Sequence, residues 1–328
     1  MKRGLLLINL GTPERDDVAA VKTYLREFLT DKRVIDLPAL IRYILVYLVI
    51  LPFRAQKSAH AYQLIWTEQG SPLLVHSKKM MAQLQRELGS EFTVALGMRY
   101  GTPSIQNALA QLDKCESLTV LPLYPQYSSA ATGSSIEEFM RIISTKEVLP
   151  SVTIIRDFFQ HPEYIKAQAQ VIKNHLPEDT FLLLSYHGIP ERQIQKGGCE
   201  TVCQEDCPAV TTTNQGCYKA QCHQTSRLLA TTLTLHAHQY STSFQSRLGK
   251  TPWIKPYTDD VLRELADKGI KRLAITCPSF VADCIETLEE IGMRAREQWM
   301  ALGGEQFTLI PCMNDTPEWI NAMKQIVQ

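Results

Sequence analysis

The sequence has no surplus of charge: 34 lysines and arginines stand against 34 aspartates and glutamates. A chain without a basic excess lacks the electrostatic footprint of a nucleic-acid-binding protein, so no nucleic-acid partner is expected. Long apolar runs are missing too. The uninterrupted run Tyr43 to Leu51 falls far short of the roughly 18 apolar residues a spanning helix needs. Nothing reads as a secretory leader, because Met1-Lys2-Arg3-Gly4 passes straight into Leu5-Leu6-Leu7-Ile8-Asn9-Leu10, a first strand. The expected location is therefore cytoplasmic. Nine cysteines in such a reducing compartment serve as metal ligands or core residues.

What is present is alternation. Strand-like runs recur at 4–10, 92–98, 118–124, 152–155, 181–186, 240–245, 272–277 and 307–312, with helix-period segments such as 78–88, 103–113, 162–174 and 259–268 between them. Such alternation builds βαβ units and parallel sheets. The expected fold is α/β: two similar Rossmann-like halves, residues 1–150 and 151–328. Each is a mainly parallel four-stranded sheet flanked by helices, with the active-site cleft between them. A short internal echo supports the division: Arg99-Tyr100-Gly101-Thr102-Pro103 is matched by Arg247-Leu248-Gly249-Lys250-Thr251-Pro252.

Unusual residues gather at strand ends. After the strand 272–276 comes Cys277-Pro278, then Asp283, Glu286 and Glu290, whose spacing predicts one acidic face of a helix. A solvated acidic face is the bland alternative. Placement at the carboxyl end of a strand, where open α/β sheets bind ligands, favours a site. Ser185-Tyr186-His187-Gly188-Ile189-Pro190 puts a histidine at another strand end, where it can take a proton or a metal. The loop Tyr124–Ser135 is rich in hydroxyls and holds two tyrosines. Its Gly133-Ser134-Ser135 could open a helix as an anion-binding turn. It lacks the lysine and spacing of a P-loop, so a flat aromatic ligand with carboxylate arms suits it better than ATP. The segment at about 35–55 is rich in Leu, Ile, Val and Tyr, interrupted by Pro38, Arg42 and Pro52 and bracketed by Arg42 and Arg54. It is expected to be an exposed apolar lip that touches a membrane or an apolar ligand, rather than a buried helix.

These motifs, with Asn9-Leu10-Gly11-Thr12-Pro13, Gly70-Ser71-Pro72-Leu73 and Phe244-Gln245-Ser246-Arg247, resemble ferrochelatase of the proteobacterial type from about residue 3 to 325. The resemblance implies a lyase that inserts Fe²⁺ into protoporphyrin IX, releases two protons and gives protohaem, the terminal step of haem biosynthesis. It places His187 and Glu286 at the catalytic positions, where they would also meet the Fe²⁺ substrate. Asp283 and Glu290 would extend a path for protons or metal. Leu10, Arg99, Tyr100, Tyr127, Ser128 and Trp253 match porphyrin-lining positions, and an apolar Leu10 favours protoporphyrin. Whether His187 first takes protons or holds the metal stays open. The lip would give peripheral contact with the inner membrane face, and a porphyrinogen-oxidising enzyme would be the upstream donor. Rival readings are a cobalt or nickel chelatase for another tetrapyrrole and a non-catalytic porphyrin- or haem-binding protein.

One segment departs from the simplest relatives. A cysteine-rich insert at about 197–222 carries Cys199, Cys203, Cys207 and Cys217 in C-x3-C-x3-C-x9-C spacing, neither a zinc ribbon nor a plant-ferredoxin pattern. Some relatives hold [2Fe–2S] in a C-terminal cysteine extension, whereas no cysteine follows Cys312 here. The four insert cysteines are therefore the expected ligands of a [2Fe–2S] cluster, with Zn²⁺ or free thiols as alternatives. Cys222 occurs in cluster-free relatives and is left out of the set. Cys115, Cys277 and Cys312 are expected in the core, and Cys284 in packing or pocket lining.

Overall fold

Apolar runs that do not alternate with polar residues become strands covered on both faces. In β1 (Arg3–Gly11), Leu5 to Ile8 have no exposed surface. The computed structural model describes residues 2–204, 206–247, 249 and 251–328, which fall into two units. Glu205 of the cysteine-rich insert, and Leu248 and Lys250 of the repeated motif, lie outside the described residues.

The first unit comprises Met1–Tyr124, Ser128–Asp157 and Met323–Gln328. Its sheet joins β1 to β2 (Phe92–Tyr100), β3 (Ser117–Pro122) and β4 (Ser151–Ile154) in the order β2-β1-β3-β4, all parallel. Helices Ile105–Gln111 and Ser134–Ile143 cover one face, packing Ile105, Leu109, Phe139 and Ile143 on Leu6, Ile8 and Val120. Each such side chain contributes about 1.5–3 kcal/mol on leaving water. At the end of β1, Gly11 has φ +113 and lies against Tyr100 of β2; a Cβ there would sit 1.8 Å from the Tyr100 carbonyl oxygen. Only glycine fits that approach.

The second unit comprises Pro125–Tyr127 and Phe158–Ala322. Its sheet joins β5 (Phe181–His187), β6 (Tyr240–Gln245), β7 (Arg272–Thr276) and β8 (Gln306–Leu309) in the order β6-β5-β7-β8, again all parallel. Leu183, Leu273 and Ile275 meet Leu262, Leu265, Ile291 and Trp299 in the core. Numbered within each unit, the strand order is the same. Arg99 and Tyr100 of the first echoed motif end β2, and Arg247 of the second follows β6, the equivalent strand.

The lip is helical from Ala39 to Ile65 and long and apolar enough, by length and composition, to cross a membrane. The short apolar run argued for less. The helix continues because Leu45–Ile50 is a π-helical turn in which the Leu51 N–H reaches the Val46 carbonyl. That i→i+5 bond widens the ladder just ahead of Pro52, which offers no N–H and crowds the preceding turn. Val46, Leu51, Ala55, Ala59 and Tyr62 face inward, while Leu40, Leu48 and Phe53 are 73%, 69% and 80% exposed. Arg42 does not bracket the lip as expected. It is buried and donates to the Leu37 carbonyl at 2.8 Å, tying down the turn before its own helix.

Candidate active site

His187 ends β5, the strand between β6 and β7 where the order of the sheet reverses. The carboxyl end of a strand at such a switch point is where open parallel sheets bind ligands. The histidine is held from several sides. Its N–H donates to Ser279 Oγ at 3.0 Å, and its carbonyl accepts from the Tyr218 hydroxyl at 2.7 Å. Nδ1 lies 2.6 Å from the Gly188 carbonyl oxygen. A bond to a carbonyl requires the proton on Nδ1, which leaves the Nε2 lone pair of the neutral ring available for a proton or a metal. Trp253 and Phe280 stand beside the ring, centroids 6.4 and 6.2 Å away. Gly188 allows this crowding: a Cβ there would lie 2.8 Å from the Gln245 carbonyl oxygen and 3.3 Å from the Trp253 ring.

Gln245 pairs with His187 across the ladder and joins it to the acids. Its amide oxygen accepts from Ser185 Oγ at 2.7 Å, and its amide nitrogen donates to the Glu286 carbonyl at 3.1 Å. Glu286 opens a π-helix, Glu286–Ala295, where an α-helix carrying Asp283, Glu286 and Glu290 on one face was expected. Two local bonds compete with an α ladder at its entrance: Thr287 Oγ1 accepts from the Cys284 N–H at 3.0 Å and donates to Asp283 Oδ1 at 2.9 Å. Asp283 thus precedes the helix. Its carboxylate also accepts from the Cys312 N–H at 3.2 Å and from Asn314 Nδ2 at 2.7 Å. π-Helical turns are rare and are frequent at functional sites.

Glu290 sits one turn further along. Its two oxygens accept from the Ser246 N–H at 2.8 Å and the Ser246 hydroxyl at 2.7 Å. Ser246 reaches both by adopting φ +68, a conformation that costs a non-glycine residue about 1–3 kcal/mol. Burial pushes the Glu290 carboxyl up from its ordinary value, against the opposing pull of Ser246, His187 and Arg294. A cavity of about 200 Å³ is lined by Glu290, Ser246, Arg247 and Arg294. Burial, reinforced by the neighbouring carboxylates, raises the thiols of Cys277 and Cys284, which are inert packing residues in consequence. Cys115 and Cys312 are buried as expected.

The remaining sequence-selected residues divide between the units. In the second, Tyr127 offers its N–H to Gln221 Oε1 at 2.6 Å. In the first, Leu10 is half-buried at the end of β1, its N–H held by the Asn9 side chain at 2.8 Å. Arg99 donates to Ser134 Oγ at 2.7 Å and to Asp31 Oδ2 at 2.6 Å. Tyr100 is fully buried, its hydroxyl on the same Asp31 oxygen at 2.9 Å. Burial alone would raise the Asp31 carboxyl; bonds from Ser134, Arg33 and Tyr100 and the Arg99 charge instead hold it below its ordinary value. Ser128 accepts from the Ala131 N–H at 3.2 Å and caps a π-helical turn, Ser129–Gly133, that runs directly into Ser134–Ile143. Gly133-Ser134-Ser135 are therefore inside a helix rather than at its start. The anion-binding turn considered for this loop does not form there, because the Gly133 N–H is already bonded to the Ser128 carbonyl at 3.0 Å.

The insert brings the thiols of Cys199 and Cys207 onto Cys217. Cys217 caps the helix Tyr218–Thr232, and the Cys207 thiol, the N–H groups of Ala220 and Lys219 and the Cys199 thiol hold its own well below the ordinary range. Its bond to Cys217 and its burial push the Cys207 thiol up from its ordinary value. Cys203 acts on Cys199 and Cys207 electrostatically. Among the described residues, no three His, Cys, Asp or Glu side chains stand in finished metal-ligand geometry. The donor types nonetheless suit a thiophilic metal: four cysteines of one short insert, one of them readily ionised at a helix N-terminus that favours negative charge. Three residues on successive turns of that helix hold the cysteine loop. Buried Lys219 donates to the Cys203 carbonyl, Arg227 donates to the Cys207 carbonyl at 3.0 Å, and His223 Nδ1 lies 3.1 Å from Asp206 Oδ1. Burial lowers His223 to about 4, so it is neutral and donates Nδ1–H to Asp206. Its buried Nε2 has no hydrogen-bond partner among the described residues.

Sequence reasoning missed Ser279, Tyr218, Asp31 and the part played by Ser246. None stands in a spacing that marks it, and only tertiary contact gives each its place.

The ferrochelatase family model matches residues 2–328. The chain is 64% identical over 327 residues to the ferrochelatase of Legionella pneumophila (strain Lens), covering 100% of this chain and 99% of that one. It is 49% identical over 334 residues to the ferrochelatase of Coxiella burnetii (strain CbuK_Q154), covering 100% and 93%. Among solved structures, the sirohydrochlorin chelatase SirB from Bacillus subtilis subspecies spizizenii, in complex with cobalt, aligns with a TM-score of 0.57 at 10% identity, over 100% of this chain and 94% of that one. That likeness concerns the fold alone. Identity at this level along the whole sequence places the chain in the ferrochelatase family.

Proposed function

We infer that the chain inserts Fe²⁺ into protoporphyrin IX, breaking two pyrrole N–H bonds, forming iron–nitrogen bonds and releasing two protons to give protohaem. The observation that carries this reading is His187, fixed at the switch point and joined through Gln245 to the helix bearing Glu286 and Glu290. In this reading His187 Nε2 accepts a pyrrole proton, and Glu286 faces it as the partner carboxylate. Glu290, whose raised carboxyl readily keeps a proton, passes charge onward to the cavity it lines. Asp283 serves the path by anchoring its entrance, since its oxygens are committed to Thr287, Cys312 and Asn314. A macrocycle bent toward the metallated shape would be held better than a flat one, which is how binding energy lowers the barrier.

Leu10, Arg99, Tyr127, Ser128 and Trp253 are the proposed porphyrin contacts, with Tyr100 acting behind Arg99 through Asp31. Cys199, Cys203, Cys207 and Cys217 would hold a [2Fe–2S] cluster, or alternatively Zn²⁺. When bound, the cluster would supply a one-electron redox centre. The chain's contribution is the loop hold of Lys219, His223 and Arg227. The exposed lip is the proposed contact with a membrane surface on its cytoplasmic side, where an upstream porphyrinogen-oxidising enzyme would deliver an apolar substrate. Docking suits it better than crossing, because its inner face is already packed within the first unit.

The test is an anaerobic mixture of purified protein, protoporphyrin IX and Fe²⁺ followed by absorbance, beside a spectrum of the protein alone. Catalytic conversion of porphyrin bands to haem bands is expected. Stoichiometric porphyrin binding without turnover, with Zn²⁺ as well, would overturn the reading in favour of a carrier. Visible iron–sulfur bands in the protein alone would identify the cluster.

A further inference from the structure

Four residues at the start of the helix Tyr218–Thr232 and its N-cap each hold a different part of the unit. Cys217 caps it and belongs to the thiol group. The next residue, Tyr218, donates to the His187 carbonyl at 2.7 Å. One turn on, Gln221 accepts the Tyr127 N–H at 2.6 Å and donates to the Gln215 carbonyl at 2.7 Å inside the insert. Thr225, a further turn along, donates to the Phe159 carbonyl at 2.9 Å and receives Gln126 Nε2 at 3.1 Å, fixing the neighbour of Tyr127. Tyr218 and Gln221 are 6% and 0% exposed. A buried side chain whose polar atoms are all committed has one low-energy arrangement, so it transmits a displacement rather than absorbing it.

We propose that Tyr218 and Gln221 are positioning residues for metal insertion: they fix the backbones of His187 and Tyr127 to a helix whose N-cap is Cys217, so the state of the cysteine group sets the placement of both. Any ligand or oxidation that pulls the Cys217 sulfur moves the turn's first residue, and the hydroxyl on His187 and the amide on Tyr127 move with it. The two arms differ in what they govern. Tyr218 holds the residue that takes the proton, and so acts on turnover. Gln221 holds a residue proposed to line the porphyrin, and so acts on binding. The inference rests on the assignment of His187 as the base.

The experiment compares Tyr218→Phe, Gln221→Ala, Gln221→Glu and Cys217→Ser in the full chain, using protoporphyrin IX and Fe²⁺ under anaerobic conditions. Porphyrin affinity is read separately by fluorescence without metal. Tyr218→Phe is expected to lower kcat about tenfold with the porphyrin Kd within twofold of wild type. Gln221→Ala is expected to raise that Kd about fivefold with little change in kcat, and Gln221→Glu, which keeps the acceptor for Tyr127 but loses the donor to Gln215, to recover only part of the affinity. The loss in Cys217→Ser combined with Tyr218→Phe should be smaller than the product of the single losses, because both act through one turn. Tyr218→Phe with kcat within twofold of wild type overturns the positioning role. So does a parallel fall of affinity, turnover and Tm, the mark of a merely structural residue. Losses that multiply overturn the link to the cysteines. If His187→Ala retains turnover, the assignment of the base has failed instead, and the Gln221 arm, read by affinity alone, still stands or falls by itself.

Discussion

Ser246 grips Glu290 with both of its donors, N–H to Oε1 at 2.8 Å and hydroxyl to Oε2 at 2.7 Å. The carboxyl is raised by burial, so it protonates at a higher pH than an exposed glutamate. If it must be ionised to pass protons on, turnover falls as pH drops through that raised value. Glu290→Gln should lower kcat and remove this acid limb from the pH–rate profile. Ser246→Ala withdraws one of the bonds that stabilise the ionised form, and should shift the limb to higher pH. A steady-state pH profile of the three proteins decides it; an unchanged acid limb in Glu290→Gln would sink the relay.

Asp283 has three donors on a buried carboxylate and no room for water to replace them. Asp283→Ala leaves Asn314 and the Cys312 N–H without their acceptor and frees the start of the π-helix. Stability should drop by about 2–4 kcal/mol in denaturant unfolding, more than an exposed carboxylate would cost. A change under 0.5 kcal/mol would show that Asp283 is not an anchor.

The Asp31 carboxyl is held below its ordinary value in the folded chain. Its stabilisation is therefore present above the unfolded aspartate pKa, near 3.9, and is lost as pH falls through the lower folded value. Asp31→Asn should flatten that acid-side loss. It should also raise KM for porphyrin with a smaller effect on kcat, because Arg99 loses its orienting partner. Thermal unfolding from pH 3 to 7, with kinetics at neutral pH, checks both parts.

Leu48 and Phe53 are exposed on the lip, and nothing inside the unit depends on them. Replacing both by aspartate should leave Tm unchanged and reduce co-sedimentation with phospholipid vesicles at least tenfold. Equal sedimentation of the two proteins would remove the membrane role.

All eight strands among the described residues were legible in the sequence: β1 and β5 through apolar runs buried on both faces, and the exposed β4 and half-buried β8 through their place in the alternation of strand and helix. His187 and the acidic residues were legible for a related reason: polar residues directly after such runs mark strand ends. The shape of the acid-bearing helix was not legible. Spacing cannot distinguish an α ladder from one that Thr287 and Asp283 interrupt through side-chain bonds. Arg42 misled for the opposite reason, since a basic residue beside an apolar run can turn inward and satisfy carbonyls as readily as it meets a lipid surface. Pro52 looked like a break, and a widened turn ahead of it removed the conflict. The part played by Tyr218 was not legible, for a bond to a distant main-chain carbonyl leaves no pattern in a sequence.

The shared strand order has an asymmetric outcome. The last ladder pair of β5 with β6 is His187 with Gln245, and the matching pair of β1 with β2 is Gly11 with Tyr100. The frame is repeated, but the earlier copy is sterically closed to chemistry: any side chain at Gly11 collides with a main-chain oxygen. A second reactive centre cannot arise there by one substitution, so the repeated frame stays asymmetric, with one copy free to react and the other obliged to stay bare.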